Sequence, residues 1–211
     1  MHIDELKHSP PSDRNEGDAY YTPPEVTRAL LDRWDVPPLV GEPCAGDNWI
    51  TRVLEGPRRQ VITADIRDDA PVNYPGVDIL TLHPCNSHPF RCVEAIVSNP
   101  PYSLAAPIVR KALELCPRVA MFLRLSFLEG CEDKPESKRL DLLERLSRVI
   151  VLPRVSFIHG KSGTDSSTCA WFIWDEPEPG EARRPATIEW VSKADMARYA
   201  GQGDLWRLSD E

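Results

Sequence analysis

Between residues 95 and 102 the chain runs Ala95-Ile96-Val97, then Ser98-Asn99, then Pro100-Pro101-Tyr102. Few backbones tolerate that order. Two adjacent prolines cannot continue a strand or a helix, because neither has an N–H to give and each fixes its own φ. The apolar run is therefore expected to end as a buried strand, with the prolines opening a stiff turn. Apolar residues then recur at 105, 108, 109, 112, 113 and 116, one broad helical face stopped by Pro117. Buried strand, loop and packing helix make up the repeating unit of a doubly wound α/β sheet. The loop sits at the carboxyl end of its strand, where such sheets hold their ligands.

The same alternation runs through the rest of the chain. Thr22 and Glu25 have capping-box spacing and Pro23 suits the first helical position, so a helix is predicted with Val26, Leu30 and Trp34 on one stripe, ending at Pro37-Pro38. Leu39 to Asn48 reads as a strand entering a glycine turn, followed by a short helix from Trp49 to Leu54. Gln60 to Ile66 reads as a second strand, ending in an acid, and Val77 to Leu82 as a short third. Val119 to Phe127, Arg148 to Arg154 and Ser167 to Trp174 are further strands, with a helix carrying Leu140, Leu143 and Leu146 among them. The pattern predicts one α/β domain over residues 20–175, with about seven strands in a mainly parallel, helix-flanked sheet. Residues 1–19 read as a flexible arm. Residues 176–211 read as an acidic extension able to pack on the domain, with a strand at Thr187 to Val191 and a helix at Lys193 to Tyr199.

Composition narrows the function classes. Hydrophobic residues make up 41% of the 211, enough for a packed core. No run of eighteen apolar residues and no basic, hydrophobic start is present, so a soluble cytoplasmic protein without a membrane partner is expected. Six scattered cysteines fit reduced thiols better than a disulfide framework. A net charge of −8 speaks against indiscriminate nucleic-acid binding. Residues 110–161 nevertheless hold eleven Lys/Arg against seven Asp/Glu, which leaves room for one phosphate-contacting face.

The central turn suits a planar amine. The Asn99 side-chain oxygen and the Pro100 carbonyl can each accept one amine hydrogen, Pro101 stiffens the loop, and Tyr102 offers a flat stacking surface. A proline-rich turn with no chemistry is the plainer reading of those four letters alone. Elsewhere, His83, Cys85, His88 and Cys92 are four metal-capable side chains, but their spacing matches no standard zinc module, so a surface loop and no metal are expected. Gly160-Lys161-Ser162-Gly163 lacks the earlier glycine of a phosphate loop and reads as a loop beside the site, with Lys161 touching phosphates.

Taken in order, Tyr21-Thr22-Pro23-Pro24-Glu25, Glu42-Pro43-Cys44-Ala45-Gly46 and Asn99-Pro100-Pro101-Tyr102 resemble the motifs of class I S-adenosylmethionine-dependent methyltransferases, in particular the DNA adenine-N6 group. The resemblance spans roughly residues 20–175. It implies a Rossmann-like methyltransferase fold with its last strand antiparallel and S-adenosylmethionine as cofactor. Tyr21, Thr22, Pro23, Glu42, Ala45, Gly46, Asp65, Ile66, Asp78 and Asn99 would line the cofactor. Asp65 would take the ribose hydroxyls, and Asp78 either the adenine amine or merely a turn. Asn99, Pro100, Pro101 and Tyr102 would be catalytic, with Tyr102, Phe157 and Lys161 facing the acceptor. Asn48 stands where the family's second glycine usually lies, and asparagine tolerates the left-handed conformation that such a turn needs. The implied activity is methyl transfer to the N6 amine of adenine in single- or double-stranded DNA. A base amine in RNA or a protein glutamine is an alternative acceptor, and an inactive binding protein of the same fold a more distant one. Only short segments are spare for reading base pairs, so target recognition would be brief or shared with a protein partner.

Overall fold

The structure, a computed structural model, describes residues 22–129, 139–155, 168–177 and 182–202. Eight strands form one sheet in the order β3-β2-β1-β4-β5-β7-β6-β8. They are β1 (Leu39–Glu42), β2 (Gln60–Asp65), β3 (Tyr74–Pro75), β4 (Ala95–Ser98), β5 (Arg118–Arg124), β6 (Arg148–Val151), β7 (Cys169–Asp175) and β8 (Thr187–Trp190). Among the described residues five α-helices accompany them: α1 (Pro24–Arg33), α2 (Thr51–Leu54), α3 (Ala105–Leu115), α4 (Leu140–Glu144) and α5 (Lys193–Gly201). Among the described residues β7 alone runs against its neighbours, β5 and β6. The other pairings are parallel, including β6 with β8.

Alternation along the strands divides the core into two layers. Ala120 and Phe122 of β5 point to a layer shared with Val26 and Leu30 of α1 and Trp171 of β7. Val119, Met121 and Leu123 point the other way, to a layer shared with Ile108, Val109 and Ala112 of α3 and Trp174 of β7. Both indoles find acceptors: Trp171 Nε1 donates to the Val26 carbonyl at 2.9 Å and Trp174 Nε1 to the Leu142 carbonyl at 2.7 Å. These buried bonds tie α1 and α4 to opposite faces of one strand.

Strand order reverses between β1 and β4. From β1 the chain steps outward to β2 and β3, then returns to the other side of β1 at β4. The carboxyl ends of β1 and β4, Glu42 and Ser98-Asn99, therefore flank the topological switch point, the crevice site of open α/β sheets.

Three details depart from the sequence expectations. The capping box at Thr22 and Glu25 does not form: the helix N-cap is Pro23, with no side-chain cap, and Pro24 takes the first helical turn. The Thr22 hydroxyl is engaged elsewhere. Val77 to Leu82 is not a strand; Ile79–Thr81 forms a 3-10 turn capped by Asp78. The strand expected from Val119 to Phe127 stops at Arg124, and Leu125–Glu129 is a 3-10 turn. The strand that closes the 20–175 domain, β7, is antiparallel as expected; β8 of the extension then adds beyond β6 and α5 packs on α1, with Arg28 Nη1 donating to the Tyr199 carbonyl at 2.8 Å.

Candidate active site

The site grows from three loop ends. At β1 the chain turns through Ala45, Gly46 and Asn48, with φ of 54° at Gly46 and 63° at Asn48. Asn48 thus takes the left-handed conformation expected of it. The Ala45 N–H donates to the Ala64 carbonyl at 3.0 Å, and the Gly46 N–H to Asp65 Oδ2 at 2.8 Å. The acid that ends β2 therefore anchors the glycine turn that follows β1. Asp65 Oδ1 also accepts the Arg67 N–H at 3.0 Å and Arg67 Nε at 3.3 Å, while Arg67 Nη2 reaches Asp47 Oδ1 at 3.2 Å. A Cβ added to Gly46 would meet only Arg67 Nη2, at 3.8 Å, so the turn is open except toward that guanidinium.

Glu42 is fully buried and accepts a hydrogen bond from the Thr51 hydroxyl at the start of α2. Burial pushes its pKa from 4.5 up to about 8, against the Thr51 hydrogen bonds, and the Asp65 charge adds to the rise. Near neutral pH this carboxyl holds its proton. Asp78 Oδ1 accepts the Leu80 N–H at 2.9 Å, which is the turn-capping arrangement. Ile66 is 66% exposed at the end of β2.

At β4, Asn99 is 8% exposed and its Nδ2 donates to Thr22 Oγ1 at 3.0 Å. Its Oδ1 is buried with no hydrogen-bond partner among the described residues. A buried acceptor without a donor is costly and uncommon, and where it persists it marks a place for an absent donor. Pro100 is buried and Pro101 and Tyr102 half-buried just beyond it. The Tyr102 hydroxyl lies 3.6 Å from Cys169 Sγ, and the Arg124 guanidinium lies over the Tyr102 ring at 4.9 Å. Arg124 also lines a cleft of about 450 Å³ with Leu125, Ser126, Glu129 and Thr168. Every one of these residues sits where β5 ends and β7 begins, on the carboxyl side of the parallel strands.

So the structure joins Thr22 to Asn99, sets Tyr102 three residues further along the same turn, and joins Gly46 to Asp65 at the neighbouring one. Tyr21, Phe157 and Lys161 lie outside the described residues. Among the described residues no group of three or more His, Cys, Asp or Glu is spaced to hold a metal. His83 and His88 instead use Nδ1 to accept the N–H two residues on, at Cys85 and Phe90. Sequence reasoning missed Thr51, Arg67 and Arg124. Arg67 alone left a trace, as a cation two residues after a strand-ending acid.

No protein-family model matches the sequence, and no curated protein matches it. Solved structures do. A Pyrococcus horikoshii protein described as an RNA methyltransferase is 16% identical, with a TM-score of 0.50 over 72% of this chain and 82% of that one. A dimethyladenosine transferase from Plasmodium falciparum gives 17% identity and a TM-score of 0.52 over 75% and 63% of the two chains. The M protein of the type I restriction enzyme EcoKI gives 14% and 0.53 over 83% and 50%. The chain has the Rossmann-like methyltransferase fold. It spans half of the EcoKI M protein and somewhat under two thirds of the Plasmodium enzyme. In this methyltransferase fold the glycine turn after β1 and the Asn-Pro-Pro-Tyr turn after β4 are neighbours across the switch point.

Proposed function

We propose that this protein transfers a methyl group from S-adenosylmethionine to the N6 amine of adenine in DNA. The observation that carries the reading is Asn99: one end of its amide is bonded to Thr22, and among the described residues no donor reaches the buried other end. A primary amine on a flat ring supplies that donor.

S-adenosylmethionine, when bound, supplies a methyl group already activated by a positively charged sulfur. The residues present fit it. The Ala45-Gly46 turn has backbone room for close approach, and Asp65, Ile66 and Asp78 lie along the same edge, with Glu42 and Asn99 at the strand ends. The acceptor amine is a weak nucleophile because its lone pair is delocalised into the ring. Asn99 Oδ1 and the Pro100 carbonyl, accepting its two hydrogens, favour a tetrahedral nitrogen with the lone pair free to form the new N–C bond. The displaced proton leaves to water, so neither a covalent enzyme intermediate nor a protein base is needed. Tyr102 provides the surface for the extruded base, and Arg124, beside its ring, provides a cation for the adjoining phosphate.

Two neighbours of the same fold bear on the acceptor. One is the M protein of a restriction enzyme and the other a dimethyladenosine transferase, which favours an adenine amine. A base amine in RNA is the second reading, supported by the neighbour described as an RNA methyltransferase.

The test is transfer of labelled methyl to unmethylated DNA, RNA and a protein pool in parallel, followed by nucleoside and amino-acid analysis. The expected product is N6-methyldeoxyadenosine, formed at a rate that falls steeply with salt as phosphate contacts release counterions. Methylated RNA base or methylated glutamine, with DNA unlabelled, would overturn the DNA assignment and leave methyl transfer standing. No label in any pool, with S-adenosylmethionine unbound in calorimetry, would remove the enzyme reading altogether.

A further inference from the structure

An asparagine amide is nearly the same shape either way round, so sterics alone do not decide which end faces a ligand. At Asn99 the decision falls to the groups within hydrogen-bond reach. Nδ2 meets Thr22 Oγ1 at 3.0 Å, and the oxygen is left buried and without a partner among the described residues. A hydroxyl can donate as well as accept, so Thr22 would also bond a reversed amide. Two N–H groups would then face the buried side with no acceptor, where the observed arrangement leaves a single oxygen. An incoming amine brings hydrogens and needs that oxygen.

Thr22 itself is 1% exposed and precedes two prolines that fix the backbone entering α1. Helix α1 is in turn held to the sheet by the Trp171–Val26 hydrogen bond. The hydroxyl is thus a rigid reference point, 77 residues away in sequence from the amide it holds.

We infer that Thr22 is a positioning residue: its hydroxyl holds one end of the Asn99 amide in place, so that the other end, the oxygen, is presented to a hydrogen-donating amine. This rests on the proposed amine methyl transfer and assigns one side chain its part in it. The role differs from a helix cap, which the hydroxyl does not perform here.

Thr22→Val keeps the side-chain shape and removes the acceptor, whereas Thr22→Ser keeps the acceptor and removes a methyl. Both are compared with the wild-type chain in turnover, acceptor KM and calorimetric affinity for S-adenosylmethionine. Thr22→Val, assayed at saturating S-adenosylmethionine, is expected to lower kcat by ~10-fold or more with acceptor KM within about 3-fold of wild type. Thr22→Ser is expected to stay within about 3-fold in kcat. A Thr22→Val enzyme with native kcat overturns the inference. So does a Thr22→Ser enzyme as impaired as Thr22→Val, since the hydroxyl would then not be what matters.

A second measurement stands apart from turnover. In the wild-type protein the Asn99 side-chain NH2, observed by nitrogen-15 NMR, should exchange slowly with solvent and give one sharp pair of resonances. Thr22→Val should broaden or split that pair, and Thr22→Ser should restore it. Unchanged Asn99 signals in folded Thr22→Val would overturn the inference even if no acceptor is ever methylated. Conversely, loss of the sharp pair beside a wild-type protein inert toward every acceptor would refute the methyl-transfer reading alone.

Discussion

At the scale of single residues, Asp65 fastens a turn besides taking its proposed ribose contact. Its Oδ2 holds the Gly46 N–H, and its Oδ1 already takes two hydrogens from Arg67. A carboxylate has about four lone-pair positions, so a ribose can gain a second bond only by displacing the Arg67 side chain. That side chain is 42% exposed and paired with Asp65 and Asp47, interactions worth roughly 0–1 kcal/mol at such a surface. Arg67→Ala is therefore expected to tighten S-adenosylmethionine binding by about 2- to 5-fold in calorimetry. Asp65→Ala should abolish measurable binding, because it unfastens the glycine turn as well as the ribose. Weaker binding in Arg67→Ala would mean that the guanidinium holds the cofactor rather than competing with it. The acid was legible in the sequence because it closes an apolar run; its second duty was not, since the backbone path of the Gly46 turn decides it.

Elements explain why some expectations failed and others held. Long apolar runs such as β5 and β7, and the apolar face that α3 carries from Ala105 to Leu113, declare themselves because many residues share one pattern. Val77 to Leu82 offers only a few apolar letters, and there the Asp78 cap outcompetes strand pairing. Thr22 and Glu25 were spaced for a cap, yet a tertiary partner took the hydroxyl. Gly41 in β1 shows a constraint that no periodicity reveals. It pairs with Ile62 and Ile96 in the sheet, and an added Cβ would lie 2.6 Å from Cδ1 of the fully buried Phe90. The ring lies against the bare backbone of β1 one residue before Glu42. Gly41→Ala should therefore cost about 1–3 kcal/mol, as overpacking does in a tight core, seen as a lower denaturant midpoint with unchanged slope. A midpoint equal to wild type would show that Phe90 has somewhere to go.

For the molecule as a whole, the buried Glu42 couples stability to pH. The unfolded chain releases this proton near 4.5, whereas the folded chain keeps it up to about 8. Between those values the folded state binds more protons than the unfolded one, so stability falls as pH rises. One proton corresponds to a slope of about 1.4 kcal/mol per pH unit, and the whole window to at most on the order of 5 kcal/mol. The contribution is fully present below pH 4.5 and is lost by the time pH passes 8. The protein carries a net charge of −8, so general self-repulsion grows in the same direction and has to be separated from the single-site effect. Glu42→Gln does that: the amide oxygen can still accept from Thr51, the rest of the charge is untouched, and the titrating proton is gone. Denaturant unfolding across pH 5 to 8.5 should show wild type losing stability steadily and Glu42→Gln much less, with the variant the more stable of the two at the alkaline end. Parallel curves for the two proteins would mean that the carboxyl is ionised in the fold and that the slope belongs to the surface. A crossing of the curves instead places a neutral carboxyl beneath the crevice, where ionising it would cost the fold its own stability.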